Sequence, residues 1–172
     1  MMRNGTNTSF GSLKQIDAGV LNVGYAEAGH TDGPVVILLH GWPYDILSYV
    51  DVAPLLAKSG YRVIVPYLRG FGTTRFLSSE TLRNGQQSVV ALDIIALMDA
   101  LRIEKAIVGG YDWGARTANI IAALRPEGRD DIGRPSSPVK TGDGRLLDFE
   151  SIHQRDDIES EDRWLPVADC FT

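Results

Sequence analysis

The sequence predicts an α/β fold, a mostly parallel sheet with helices on both faces. Three observations carry that prediction. Apolar runs of strand length alternate with segments of helical period, an order that produces right-handed crossovers between parallel strands. One run, Val-Val-Ile-Leu-Leu at 35–39, is apolar without interruption, as in a strand buried on both faces. A further short strand runs directly into Gly110-Tyr111-Asp112-Trp113-Gly114, whose small flanking residues suit a sharp turn from strand to helix.

Taken in order, residues 12–18 and 21–28 read as two strands joined by a turn at Gly19. In the second, Leu21, Val23 and Tyr25 alternate with smaller or more polar neighbours, the period of a half-buried strand. Residues 29–34 are turn by composition, and the strand 35–39 follows. Over 46–59, Val50, Ala53, Leu56 and Ala57 stand at helical spacing, and Gly60 stops the helix. The next strand is 62–65, halted by Pro66. Residues 88–101 give the clearest amphipathic pattern, with Val89, Leu92, Ile95, Ala96, Met98 and Leu101 as the expected inward face. A short strand at 105–109 centres on Ala106-Ile107-Val108. A helix at 115–124 then turns Ala118, Ile121 and Ala122 inward, with Leu124 at the margin of that face, before Pro126 ends it.

Composition narrows the function classes. Of 172 residues, 44% are apolar and 23% charged, the balance of a soluble globular chain. No apolar run approaches the roughly 18 residues of a membrane helix. The first eleven residues are polar, without the apolar segment of a signal peptide. A cytoplasmic protein without a membrane partner is therefore expected. Cys170 is the single cysteine and has no partner for an internal disulfide; with three scattered histidines it makes no metal pattern, and no cofactor is expected. A net charge of −5 argues against nucleic acid as a partner. The charge is unevenly placed: residues 1–127 hold 11 acidic and 11 basic side chains, residues 128–172 hold 11 and 6. Two kinds of sequence meet near Glu127, and the second, with isolated apolar residues among many acids, is expected to be poorly ordered.

Gly110-Tyr111-Asp112-Trp113-Gly114 places a carboxylate at a strand–helix turn. There it projects beyond the strand ends at a helix N-terminus, where the dipole and free amides favour an anion. A carboxylate serves as nucleophile in that position without a base to deprotonate it. Read alone, the same pattern also describes a helix N-cap, since Asp is a common one. A second motif, His40-Gly41-Trp42-Pro43, follows the strand 35–39 about 70 residues earlier, the separation of a strand–helix–strand–helix–strand path. A third, Pro66-Tyr67-Leu68-Arg69-Gly70-Phe71-Gly72-Thr73, lies between them.

Together these motifs resemble the α/β-hydrolases. The first is similar to the Gly-x-nucleophile-x-Gly elbow and the second to the His-Gly-x-Pro loop that supplies half of the oxyanion hole. The third is similar to the Asp-x-Arg-Gly-x-Gly-x-Ser/Thr loop, with Tyr67 where the family usually has Asp. An aspartate nucleophile followed by Trp resembles the epoxide hydrolase and haloalkane dehalogenase branch. His-Gly-Trp-Pro is more like the epoxide hydrolases, since dehalogenases typically have Asn where Trp42 stands. Fluoroacetate dehalogenases have Arg directly after the nucleophile and again four residues after it. Arg116 matches the second of these and Trp113 replaces the first, so Arg116 reads as an exposed first-turn side chain.

The resemblance implies an Asp112 nucleophile attacking the saturated carbon of an epoxide or alkyl halide. The backbone amides of Trp42 and Trp113 would form the oxyanion hole, and a histidine would activate water against the resulting ester. It gives His40, Gly41, Pro43, Gly110 and Gly114 structural roles. An esterase is disfavoured, because a carboxylate is a poor acyl acceptor.

The resemblance ends near Glu127, where such a hydrolase continues into another strand, a helical cap and the strands bearing the acid and base. His153, with Asp148 or Asp156 as its imaginable partner, has no strand or packed element to hold it, so no base is expected from the tail. The expectation is therefore an incomplete α/β-hydrolase fold, truncated or shifted in frame after Glu127, and catalytically incomplete. The rival from another class is a non-catalytic remnant or binding module. With no neighbouring strand beyond it, the 105–109 strand is expected at an open edge that invites self-association.

Overall fold

Continuous apolar runs take the centre of the sheet, and the short turn at Gly19 forces its end strands to pair antiparallel. The structure, a computed structural model, describes residues 9–124. Its strands are β1 (Lys14–Ala18), β2 (Leu21–Ala28), β3 (Val35–Leu39), β4 (Arg62–Pro66), β5 (Arg75–Phe76) and β6 (Ile107–Gly110). Its helices are α1 (Val52–Lys58), α2 (Gln87–Ala100) and α3 (Trp113–Leu124). The sheet runs β1-β2-β4-β3-β6, with β5 paired to β2. β4, β3 and β6 are parallel, whereas β1, β2 and β5 pair antiparallel, so the described sheet is mixed and its parallel part is where the motifs lie. A two-residue link such as Ala18-Gly19-Val20-Leu21, with Gly19 at φ 58°, can join only antiparallel neighbours. Among the described residues β6 pairs with β3 alone, the edge position expected for it.

The period-2 geometry of the central strands feeds two cores. Ile37, Leu39 and Ile64 face α2 and α3, joining Val90, Ile94, Leu97, Ala118 and Ile121. Val36, Leu38, Val63 and Val65 face the other way, against Ile46, Tyr49, Ala53 and Leu56 around α1. Helices thus cover both faces.

Four element readings are corrected. The helix expected over 46–59 is two pieces, a 3-10 turn at Ile46–Tyr49 and then α1. Pro54 accounts for the break: in one continuous helix it would lack the amide needed to bond residue 50, while in the first turn of α1 no such bond is required. The Asp45 side chain accepts from the Leu47 N–H at 2.8 Å and starts the 3-10 turn. The 105–109 strand begins two residues later, because its partner β3 sets the register from Val36↔Ile107 to Leu39↔Gly110. On α2 the inward stripe is Val90, Ala91, Ile94, Leu97 and Met98, while the expected core residue Leu92 is 55% exposed. The helix is apolar nearly all round, and Asp93 near its middle is buried in an ion pair with Arg69. On α3, Ala118, Ile121 and Ala122 face inward as expected, but Leu124 is 52% exposed.

One charged cluster fastens the antiparallel end. Glu27 on β2 accepts from Lys14 of β1 at 2.5 Å and from Arg62 of β4 at 2.7 Å. Burial acts to raise the Glu27 carboxyl, and the two hydrogen bonds more than offset it, leaving the group below its ordinary value.

Candidate active site

β3 and β6 end side by side, Leu39 opposite Gly110, so the chain leaving each strand arrives at the same place. From β3 come His40, Gly41 and Trp42; from β6 come Tyr111 and Asp112. Close approach is what the glycines allow. A Cβ on Gly114 would overlap the Leu39 carbonyl oxygen, and one on Gly110 would stand 2.7 Å from that same atom. A Cβ on Gly41 would lie 2.6 Å from the Asp112 Cβ. Asp112 itself has φ 51°, the left-handed region that an L-residue adopts at a cost of about 1–2 kcal/mol. The strain belongs to the turn: β6 ends at Gly110 and α3 begins at Trp113, leaving two residues to reverse direction.

The result is a carboxylate set across two loops that are 70 residues apart in sequence. The Trp42 backbone N–H donates to Asp112 Oδ1 at 2.9 Å, while Oδ2 accepts no hydrogen bond from the described residues. Trp113 opens α3, whose first-turn amides lack intrahelical partners. Trp42 and Trp113 are 69% and 39% exposed, and Asp112 is exposed as well. Arg116, in the first turn of α3, is exposed as expected.

His40 is fully buried and its ring has structural work. Nε2 accepts from the Leu68 N–H at 3.1 Å, so the neutral ring carries its proton on Nδ1, 3.3 Å from the Gly41 carbonyl oxygen. Burial pushes the imidazole below its ordinary value. Both nitrogens face backbone, which fixes the His40–Gly41 loop against the Leu68 loop and leaves neither nitrogen to activate water. The Trp42–Pro43 peptide is cis. On the other side of the elbow, Tyr111 and Ser48 share a hydroxyl hydrogen bond of 2.8 Å, and Tyr49 donates to the Leu39 carbonyl oxygen at 2.8 Å.

The third motif lines the same site. A cleft of about 370 Å³ is bounded by Trp42, Trp113, Leu68, Phe71, Val90 and Arg69. Phe71 meets the His40 and Trp42 rings edge to face, at 4.7 and 6.0 Å between centroids. Arg69 is buried in a two-pronged ion pair, Nε to Asp93 Oδ2 and Nη2 to Asp93 Oδ1, each 2.6 Å, and Nη1 donates to the Asn84 carbonyl oxygen at 2.6 Å. Burial acts to raise the Asp93 carboxyl and Arg69 opposes it; both carboxyl oxygens accept, so we treat the pair as ionised. Tyr67, at the departure from the family loop, packs its ring where a Cβ of Gly72 would stand, and its carbonyl accepts from Thr74 Oγ1 at 2.8 Å.

Sequence reasoning located Asp112, Trp42, Trp113 and His40, and the structure brings all four together. It missed Phe71, Val90 and Asp93. An Asp flanked by apolar residues on both sides, Leu92 and Ile94, with an Arg in the preceding loop, was the available signal for the last. His153, Asp148 and Asp156 lie outside the described residues. Among those residues no cluster of three His, Cys, Asp or Glu side chains could hold a metal, and no helix is long and apolar enough to cross a membrane.

Comparison with known proteins identifies the family of this fold. The sequence profile described as alpha/beta hydrolase fold matches residues 34–128. An epoxide hydrolase of Caballeronia sordidicola is 29% identical over 167 residues, covering 95% of this chain and 50% of that protein, so the match continues past Glu127. Epoxide hydrolase B of Mycobacterium tuberculosis is 34% identical over 131 residues, covering 68% of this chain and 35% of that one. The chain thus spans half or less of the length of these relatives. The crystal structure of a candidate epoxide hydrolase from Klebsiella pneumoniae is 63% identical and superposes with a TM-score of 0.67, over 70% of this chain and 39% of that one.

Proposed function

The chain belongs to the α/β-hydrolase family, in its epoxide hydrolase-like branch, and we propose that Asp112 is the nucleophile that opens an epoxide ring. One observation carries the reading: Oδ1 of Asp112, on a strained turn, is held by the Trp42 N–H while Oδ2 accepts no bond from the described residues. The two oxygens are thereby given different work. Oδ2 attacks an epoxide carbon, the ring C–O bond breaks, and the released alkoxide takes a proton from a donor or water. Oδ1 becomes the carbonyl oxygen of the alkyl ester, already beside an amide. When water then adds to that carbonyl and gives up its proton to a base, the negative charge develops on Oδ1, where the Trp42 and Trp113 amides form the oxyanion hole. Collapse releases the diol and restores the carboxylate. Both His40 nitrogens face backbone, so His40 is not the base for this second step.

The two steps separate experimentally. Alkylation needs only the residues at the elbow, whereas ester hydrolysis needs the base. Incubation of the chain with phenyloxirane should add one phenyloxirane mass to the protein, and Asp112→Ala should add none. An alkyl halide in place of the oxirane tests the haloalkane dehalogenase-like alternative by the same first step. Asp112→Ala that is alkylated as fast as the parent would exclude this residue as the nucleophile.

A further inference from the structure

The third motif delivers one side chain, Phe71, to the loop that holds Asp112. Gly70 and Gly72 flank it at φ 84° and 49°, in the left-handed region that glycine adopts without strain. The Phe71 N–H donates to the Leu68 carbonyl oxygen at 3.0 Å, and the Phe71 carbonyl oxygen accepts from the Thr74 N–H at 3.1 Å, so the turn is closed on both sides of the residue. The ring it carries is half-buried and meets two others edge to face, His40 at 4.7 Å and Trp42 at 6.0 Å. Those two residues stand on either side of Gly41, the position that admits no Cβ beside Asp112. His40 is buried and bonded through Nε2 to the Leu68 N–H. Trp42 is 69% exposed, and among the described residues Phe71 is the ring that its indole meets. Yet it is the Trp42 N–H that donates to Asp112 Oδ1 at 2.9 Å. We infer that Phe71 is a positioning residue: by bracing the Trp42 indole against buried His40, it fixes the Trp42 amide on Asp112 Oδ1. Edge-to-face contact constrains direction as well as distance. A nucleophile that drifts from its donor loses the alignment that attack requires. Phe71 touches no reacting atom in this account; it acts through Trp42. It also packs on the core beneath α2, so the test must separate positioning from packing.

The inference rests on the Asp112 reading for its chemistry, and two readouts keep them apart. In the full chain the Trp42 amide proton is followed by NMR as pH is lowered through the carboxylate range, and alkylation of Asp112 by phenyloxirane is followed by mass. In the parent the amide proton should shift as Asp112 takes up a proton; in Asp112→Ala that shift should vanish. Phe71→Leu keeps an apolar side chain but removes the ring. It should largely abolish the shift and slow alkylation at saturating phenyloxirane by about tenfold or more, with little change in affinity for the corresponding diol, which cannot alkylate. Phe71→Tyr keeps the ring and should restore both readouts. Leu97→Ala, which weakens the core at a buried position outside the cleft lining, should leave both as in the parent. Should Phe71→Leu fail to fold, Phe71→Met removes the ring in its place. An amide that does not follow Asp112 in the parent, parent behaviour in both readouts of Phe71→Leu, a slowing that Leu97→Ala shares, or a loss confined to diol affinity would each overturn the inference. An amide that follows Asp112 in the parent but not in Phe71→Leu, with no adduct on Asp112 in either chain, would uphold the positioning role and sink the nucleophile.

Discussion

Asp112 holds its conformation because its neighbours leave room for no other path. Gly114 passes so close to the end of β3 that an added methyl would overlap the Leu39 carbonyl, which is backbone and cannot step aside. Gly114→Ala should therefore cost at least about 2 kcal/mol in a urea titration. Gly41→Ala tests a different contact. Its methyl would press on the Asp112 side chain rather than on a strand, so the nucleophile should move off the Trp42 amide and alkylation should fall at least tenfold, with a smaller loss of stability. Parent-rate alkylation in Gly41→Ala would show that the 2.9 Å contact is incidental. These positions were legible in the sequence because each motif packs its chemistry into adjacent residues. The Arg69–Asp93 pair was not, since its partners are 24 positions apart and pairing alone explains why an acid sits on an inward helix face.

Among the elements, α2 shows where periodicity runs out. Strand β3 was placed to the residue by its continuous apolar run, and β4 nearly so by the Pro66 that halts it. In α2 too many positions are apolar for any one stripe to stand out, and the stripe chosen was off-centre: Met98 is buried and Ile95, Ala96 and Leu101 pack on the core, but Leu92 is exposed. The corrected face makes a clear demand: Leu97→Ala should cost about 3 kcal/mol, and Leu92→Lys within about 0.5 kcal/mol of nothing. The reverse order in denaturation midpoints would restore the original face. The two-residue β5 offered no period at all, and the break before α1 could have been found from Pro54.

The charged fastening of β1, β2 and β4 adds a pH dependence. The Glu27 carboxyl is held below its ordinary value in the folded chain, so the unfolded chain takes up its proton first as pH falls. The contribution of Glu27 is thus full above about pH 4.3, the ordinary glutamate value, and is lost as pH falls through the lower folded value. Glu27→Gln should be less stable than the parent by about 1 kcal/mol at pH 7, and the gap should close in acid. A gap of constant size from pH 7 to pH 3 would mean that the ion pairs contribute nothing.

For the molecule as a whole, topology and site converge on one place: the parallel strands β3 and β6 deliver an amide and a carboxylate to the same point, and the helices on both faces hold those strands in register. Family and fold were legible at this scale because the three motifs occur in the right order on the right elements. The mixed pairing of the sheet was less so, since the sense of a strand depends on which neighbour it finds. The central claim is that this arrangement makes Asp112 a nucleophile, and the most direct measurement is tandem mass spectrometry of the chain after incubation with phenyloxirane. The account predicts a single alkyl ester on Asp112 within the 107–116 segment, removable by hydroxylamine and absent from Asp112→Ala. An adduct on another carboxylate, such as half-buried Asp45, with Asp112 unmodified, would contradict it.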